Sequence, residues 1–178
     1  DMNEHYLDTE RGGYYFTTND AEEMIIRHKE VYDGAVPSAN SAALLNLLRI
    51  GRITGDASYD RAAENLAKAF SAAVTQAPSA YTQLLSGLDF GIGPSFEIVI
   101  SGERGRADME KMIEALREVY VPNKIVLLRD SRSGITDVAP FTKEQKTIGG
   151  KAAAYVCMNY ECDLPVTDPE KVRELLSK

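Results

Sequence analysis

The stretch YDGAVPSANSAALLNLLRI, residues 32–50, sets a polar turn directly against an almost wholly apolar helix. Gly34, Pro37, Ser38 and Asn40 are typical turn residues. Apolar side chains then recur at helical spacing, with small and branched residues widening the stripe: Ala43, Leu44, Leu47, Leu48 and Ile50. A helix that is apolar on most sides is buried on most sides. The stretch therefore predicts a buried helix over residues 41–54.

Two further helices are predicted close behind the first. Residues 57–75 carry the clearest helical periodicity in the chain, and Ala77 and Pro78 end that helix. A third helix is predicted over residues 81–90. Upstream, the run ERGGYYFTT, residues 10–18, combines a Gly-Gly turn with an aromatic segment and predicts a short strand or hairpin arm. Three helices joined by short turns indicate a layered helical stack.

The pattern changes at GIGPS, residues 91–95. FEIVIS and NKIVLLR read as strands flanking a helix over residues 106–120, which makes a strand–helix–strand unit. AAAYVCM predicts a third strand, and TDPEKVRELL predicts a final helix capped by Thr167 or Asp168. The polar tract 130–150 between them is expected to be a long surface connection. The sequence thus predicts a helical part over residues 1–92 and a small three-stranded α/β module over residues 93–178.

Composition excludes several classes of partner. The chain has 178 residues, 44% of them hydrophobic, and a net charge of −7, which disfavours binding to nucleic acid. No apolar stretch approaches the length of a membrane span. The first residues are acidic and polar, unlike a signal peptide, and only two cysteines occur. We therefore expect a cytoplasmic protein without nucleic-acid or membrane partners, and without a metal or other cofactor.

The polar loop has two interpretations. Ser38, Asn40 or Ser41 could cap the following helix, which explains one or two polar residues. Alternatively the loop lines a pocket, because a helix N-terminus favours anionic or hydroxyl-rich ligands. In that hypothesis Arg27 and Asp33 are the candidate catalytic residues, for clamping a sugar hydroxyl or for acid–base work. The candidate ligand-binding residues are Tyr32, Ser38, Asn40 and Ser41.

Other catalytic arrangements depend on distances that the sequence does not give. Glycoside hydrolysis needs two carboxylates roughly 5 to 10 Å apart. Four candidates are Asp8, Glu10, Asp33 and Asp89. A two-histidine mechanism would require His5 and His28 to converge.

The two cysteines are candidate redox residues. Cys157 and Cys162 stand in CMNYEC, and five extended steps would separate their Cα atoms by roughly 17 Å. A disulfide therefore needs a chain reversal between them, which Asn159 could provide. The spacing fits neither a C-x-x-C redox motif nor a zinc site. Two buried thiols acting as small hydrophobic side chains remain the alternative.

Several separate motifs together resemble one family. DTERGGYYFT, YDGAVPSANS, LLRIGRITGD, GLDFGIGPSFEIVISG, VPNKIVLL and AAYVCMNYECDLPVTDPEKVRELL occur in this order. The chain is similar to the C-terminal third of the spermatogenesis-associated protein 20-like proteins, also called thioredoxin domain-containing proteins. This resemblance implies an N-terminal thioredoxin-like domain in the full-length chain, then an (α/α)6 barrel like those of sugar epimerases and six-hairpin glycosidases. Residues 1–92 would be the last helices of that toroid.

The resemblance implies a fold and the place where a ligand would bind, but it implies no particular reaction. In such barrels the ligand lies where the loops open, which suits Arg27, Asp33 and the PSANS loop. The first hypothesis is therefore a part of a carbohydrate-binding or carbohydrate-modifying barrel enzyme that is inactive as a fragment. The alternative is a non-catalytic scaffold or interaction module that docks the thioredoxin-like domain of the same chain. A partial barrel would expose apolar faces, so the fragment alone is expected to form homo-oligomers.

Overall fold

The structure is a computed structural model that describes residues 1–22, 25–159 and 161–177. The chain divides into two compact units. The helical unit comprises Asp1–Gly51 and Asp56–Ile92, and the sheet unit comprises Arg52–Gly55 and Gly93–Lys178. Within the described residues the fold is mixed, with seven α-helices and a four-stranded sheet.

The helical unit is built from the periodic segments of the sequence. Its helices are α1 (Met2–His5), α2 (Ala39–Thr54, whose last residues from Arg52 belong to the sheet unit), α3 (Ala57–Gln76) and α4 (Thr82–Ile92). Asp56 caps α3, since its side chain accepts a hydrogen bond from the Ser58 N–H. The core includes Leu44 and Leu47 of α2, Leu66 and Phe70 of α3 and Leu84 of α4. The three predicted helices are thus confirmed, each within two residues at either end.

The Gly-Gly turn forms, and the residues after it make a short hairpin arm rather than a strand. Gly12 and Gly13 have φ of +73° and +76°. A Cβ on Gly12 would lie 2.8 Å from the Asn65 carbonyl oxygen, so the close approach to α3 requires glycine. Leu7 and Tyr14 form an isolated antiparallel bridge, and the Tyr15 N–H donates to the Tyr6 carbonyl beside it. On its other side Tyr14 bonds through its N–H and carbonyl to the Asn40 side chain.

The sheet unit contains the strand–helix–strand unit. Its strands are β1 (Phe96–Ser101), β2 (Lys124–Arg129), β3 (Ala153–Met158) and β4 (Glu161–Cys162). The order is β2-β1-β3-β4, with β1 and β2 parallel and the other pairs antiparallel. The predicted module had three strands, and that number was wrong because the chain reverses after β3 and adds the two-residue β4. Helices α5 (Ala107–Glu118) and α7 (Pro169–Leu176) complete the unit.

The two faces of β1 differ in chemistry. Phe96, Ile98 and Ile100 pack into a core with α5 and α7. The alternate residues Glu97, Val99 and Ser101 are also buried. Glu97 accepts a hydrogen bond from Arg52 across 2.7 Å, and both side chains are more than nine-tenths buried. A salt bridge is therefore enclosed on this side of the strand.

The connection between β2 and β3 is partly buried. It forms helix α6 (Ile135–Val138) and a 3₁₀ helix over Pro140–Glu144. Ala139 and Thr142 are fully buried, and the Ser101 hydroxyl donates to the Gln145 carbonyl. The predicted surface connection was therefore wrong at Ala139 and Thr142, which are buried.

None of the helices in the described ranges is both long enough and apolar enough to cross a bilayer.

Candidate functional site

Asp33, a candidate catalytic residue, has both carboxylate oxygens engaged with backbone N–H groups. Oδ1 accepts from Ser38 at 2.9 Å. Oδ2 accepts from Gln83 at 2.9 Å and from Leu84 at 3.1 Å, which are free N–H groups in the first turn of α4. The Asp33 N–H in turn donates to the Ala80 carbonyl. The half-buried carboxylate therefore caps a helix that begins about fifty residues further along the chain.

The polar residues at the start of α2 form a compact hydrogen-bonded group. The Ser41 N–H donates to the Ser38 hydroxyl at 3.0 Å, so Ser38 is the N-cap of α2. The Ser38 hydroxyl donates to that of Ser41, which donates to the Val31 carbonyl. Asn40 bonds to both backbone groups of Tyr14 and to the Glu30 carbonyl. These buried candidates hold two loops to the helix.

Tyr32 differs from the other candidate ligand-binding residues because it is 57% exposed. It belongs to the loop segments 16–22 and 25–36, which expose several large apolar side chains. We call these the apolar loop face: Phe16, Ile25, Ile26, Tyr32 and Val36. Of these residues only Tyr32 was predicted as a site residue, although the apolar residues between the aromatic run and the PSANS turn could have indicated a surface patch.

Arg27, the second candidate catalytic residue, braces the N-terminal loop. Its Nη2 donates to the carbonyls of His5 at 3.1 Å and Thr17 at 2.5 Å. Its guanidinium carbon lies 4.1 Å from the centre of the Tyr15 ring, a cation–π contact. The structure therefore brings Arg27 to Tyr15 and the N-terminal loop, and it brings Asp33 to the first turn of α4.

Asp8 is a buried carboxylate whose pKa is strongly lowered, and the sequence indicated it only as one of several candidate acids. Its Oδ2 lies 2.6 Å from Lys29 Nζ and 2.9 Å from the Tyr15 hydroxyl. Its Oδ1 accepts from the N–H groups of Glu10 and Arg11. The Lys29 ammonium, aided by these donors, holds the pKa of Asp8 far below its usual range. The hydrogen bond that the Tyr15 hydroxyl donates to Asp8 raises the pKa of Tyr15.

We expect Asp8→Asn to destabilise the chain at neutral pH by about 2 kcal/mol, because Lys29 loses its charged partner. The folded pKa of Asp8 is depressed, so its contribution is complete above the unfolded-state pKa of about 4 and is lost as the pH falls below it. Urea unfolding at a series of pH values should show the difference from the parent chain shrinking in acid. Glu10→Gln, an exposed carboxylate of the same loop, is the control. A difference independent of pH would contradict the assignment.

An open cleft of about 430 Å³ lies between the loop 7–14 and helix α3. Its polar lining includes Glu10, Arg11, Asn65 and Lys68. Neither Arg27 nor Asp33 contributes to this lining. Among the described residues no group of three or more acidic, histidine or cysteine side chains is placed to hold a metal ion.

The two cysteines are joined. Cys157 of β3 and Cys162 of β4 are directly opposite each other and form a disulfide. Asn159, with φ of +51°, provides the turn expected of it. The alternative of two buried thiols is not what the structure shows, since the sulfurs are bonded and only Cys157 is buried.

The chain resembles known proteins over nearly its whole length. The human spermatogenesis-associated protein 20 is 33% identical to it over 174 residues, which is 96% of this chain. The rat protein of that name is 30% identical over 174 residues, and the mouse protein 33% over 171. The chain belongs to the spermatogenesis-associated protein 20 family. The family resemblance found in the sequence is thereby confirmed.

The chain spans about a fifth of the length of these relatives, since the match covers 22% of each. No protein-family model matches it. The activity and partners of a complete spermatogenesis-associated protein 20 family member are therefore matters for proposal.

Proposed function

We propose that this chain is a non-catalytic interaction module from the C-terminal part of a longer family protein. Helices α2 to α4 supply the last helices of an (α/α)6 toroid, and the apolar loop face docks the thioredoxin-like domain of the same full-length chain.

The observation that carries the proposal is the apolar loop face itself. Phe16 is 71% exposed, and its four companions in the face are more than half exposed. We infer that these exposed side chains act as one interaction surface, because their burial against a partner is favourable. The relatives contain several times more chain than is present here, so a covering domain within the same polypeptide is available in the family.

The hydrogen bonding of the polar loop supports the same proposal. Both oxygens of Asp33 accept backbone N–H groups, and Arg27 donates to two carbonyls. Groups bound in this way are occupied in holding loops and a helix start. A catalytic role for either would require these bonds to be exchanged for a substrate.

Substitution of Tyr32 tests the docking. Tyr32→Ser is expected to change the stability of this chain by less than about 0.5 kcal/mol, because the ring is exposed. In the full-length protein the same change should cost about 2 kcal/mol, because docking buries the ring there. Thermal unfolding of both proteins measures the two effects. Tyr120→Ser, at a tyrosine that is 91% exposed in the sheet unit, is the matched control.

Equal effects of Tyr32→Ser in both proteins would contradict the docking. The chain alone should also self-associate through its uncovered face, forming the homo-oligomer expected from the sequence. Sedimentation measures this directly, and Tyr32→Ser combined with Ile26→Ser should shift the equilibrium towards monomer. A strictly monomeric parent chain would count against the proposal.

A second candidate function is carbohydrate binding, favoured by the open cleft beside α3. Its mixture of polar side chains and apolar floor is of a kind that takes a hydroxyl-rich ligand. Titration calorimetry of a sugar panel against the full-length protein separates the two functions. The interaction module should show no saturable heat. Saturable binding that Asn65→Leu abolishes, while Tyr32→Ser leaves it intact, would instead establish the carbohydrate function.

A further inference from the structure

The Cys157–Cys162 disulfide is asymmetric in its access to solvent. Cys157 lies on the inner strand β3 and is 7% exposed. Cys162 lies on β4, the outer strand at this side of the sheet, and is exposed. An external thiolate must reach a sulfur atom in order to exchange with a disulfide. Cys162 is therefore the cysteine of the disulfide that an external thiolate can reach.

The turn between the two cysteines is fastened to the start of β1. The Asn159 N–H donates to the Ser95 carbonyl at 3.1 Å, and the Ser95 N–H donates to Asn159 Oδ1 at 3.2 Å. We call this pair of bonds the Asn159–Ser95 clasp. The clasp continues the six-pair ladder of β1 and β3 by one pair, whereas the β3–β4 ladder comprises only two residue pairs. A ladder this short is not stable by itself, so the covalent bond holds β4 against β3.

The surroundings of Cys162 are acidic. Glu161 and Asp163 flank it in the chain, and all three line a shallow cavity of about 250 Å³. Phe96, Met158 and Leu175 form apolar parts of the same wall. These neighbouring carboxylates repel an anionic thiol and attract one that carries a positive charge. We therefore expect the reaction rate at this site to depend on the charge of the reductant.

We propose that the Cys157–Cys162 disulfide is a thiol–disulfide exchange site, at which an external non-anionic dithiol attacks the Cys162 sulfur and reduction frees β4 from β3. The site is independent of the apolar loop face, since the helical unit contributes none of its residues.

The exchange balances with the dithiol as the electron donor. One donor thiolate bonds to Cys162 Sγ, the S–S bond breaks, and its electron pair leaves on Cys157 Sγ. Cys157 Sγ then takes up a proton, because burial disfavours the charged thiolate. The second donor thiol then attacks the donor sulfur of the mixed disulfide and releases Cys162 as a thiol. Two electrons and two protons pass to the protein, and the donor leaves as its own disulfide.

Two monothiols of opposite charge test the site on the intact 178-residue chain. Cysteamine carries an ammonium group and mercaptoacetate carries a carboxylate. At low ionic strength cysteamine thiolate should react about tenfold faster than mercaptoacetate thiolate, and high salt should reduce the ratio towards one. Acid-quenched mixed disulfides, mapped by peptide mass spectrometry, should lie on Cys162. An adduct on Cys157, or a rate ratio near one at low salt, would overturn the assignment.

Charge variants separate the local carboxylates from the overall charge of the chain. Glu161→Gln with Asp163→Asn should lower the cysteamine preference several-fold. Glu114→Gln, an exposed carboxylate on α5, is the control and should leave the preference nearly unchanged. Equal effects of the two changes would show that net charge alone sets the rates and would overturn the role of the flanking acids.

Amide hydrogen exchange tests the release of β4. After reduction by a dithiol, the Asp163 amide, which donates to the Val156 carbonyl, should exchange at least about tenfold faster, while the Asn159 amide of the clasp and the Ile98 amide of β1 stay protected. Cys157→Ser with Cys162→Ser should exchange rapidly at Asp163 with or without reductant. Unchanged exchange after reduction, or two freely titrating thiols in the protein prepared without reductant, would overturn the proposal.

Discussion

Glu97→Gln is expected to lower the free energy of unfolding of the sheet unit by about 3–5 kcal/mol. Glu97 lies on β1, a strand with every residue buried, and its carboxylate is 2.7 Å from an Arg52 nitrogen. The amide keeps the shape of the side chain but removes its charge. The buried Arg52 cation then loses the charge of the Glu97 carboxylate, and the weaker compensation of this desolvated cation is the source of the cost.

Amide exchange of the β1 residues measures this loss for the sheet unit alone. The control is Glu118→Gln, which breaks a contact of 2.6 Å to Arg173 where Glu118 is 59% exposed. Solvent-exposed ion pairs contribute about 1 kcal/mol or less to the free energy of unfolding, so the control should have a small effect. Replacing Arg52 and Glu97 together by methionine should restore most of the stability, because both buried charges are removed together. A loss below about 1 kcal/mol for Glu97→Gln would show that the pair is not desolvated.

Asp33→Ala is expected to cost about 3 kcal/mol, because three backbone N–H groups lose a charged acceptor. Two of these groups lie in the first turn of α4, so the helix start and the loop 33–38 should both loosen. Urea unfolding of the chain gives the total, and amide exchange at Gln83 and Leu84 locates it. This result also bears on function, since a purely catalytic Asp33 would leave stability nearly intact.

Asp168→Ala is the matched control for Asp33. Asp168 is an exposed N-cap of α7 and accepts one hydrogen bond, from the Glu170 N–H. Its loss should cost about 1 kcal/mol. If Asp33→Ala proved no more costly than Asp168→Ala, while ligand binding by the full-length protein disappeared, the catalytic hypothesis would gain over the structural one.

Local patterns in the sequence predicted most of the elements. Helix α3 follows from the spacing of Ala63, Leu66, Phe70 and Val74, all of which are buried. The final helix follows from Asp168 and Pro169, which act as cap and first turn. Such signals operate within a few residues, so they can be read without knowledge of tertiary structure.

The candidate site depended on contacts between distant residues, and these were largely missed. Asp33 finds its partners at Gln83 and Leu84, and Asp8 finds Lys29. No local rule distinguishes an acid that caps a remote helix from one that faces a substrate. The cysteine pair was more tractable, because a reversal at Asn159 was the single geometric requirement and was identified from the residue type.

The outer position of β2 bears on how copies of this chain meet in concentrated solution. Within the described ranges β2 pairs only with β1, which leaves its other edge without a strand. The strand reads KIVLLR, with Lys124 and Arg129 at its ends. An antiparallel meeting of two such edges sets Lys124 against Arg129 twice, and a parallel meeting sets each cation against its own copy. Like charges therefore disfavour both arrangements. They protect the edge of β2 from pairing with further copies into fibrils, although the middle of the strand is apolar.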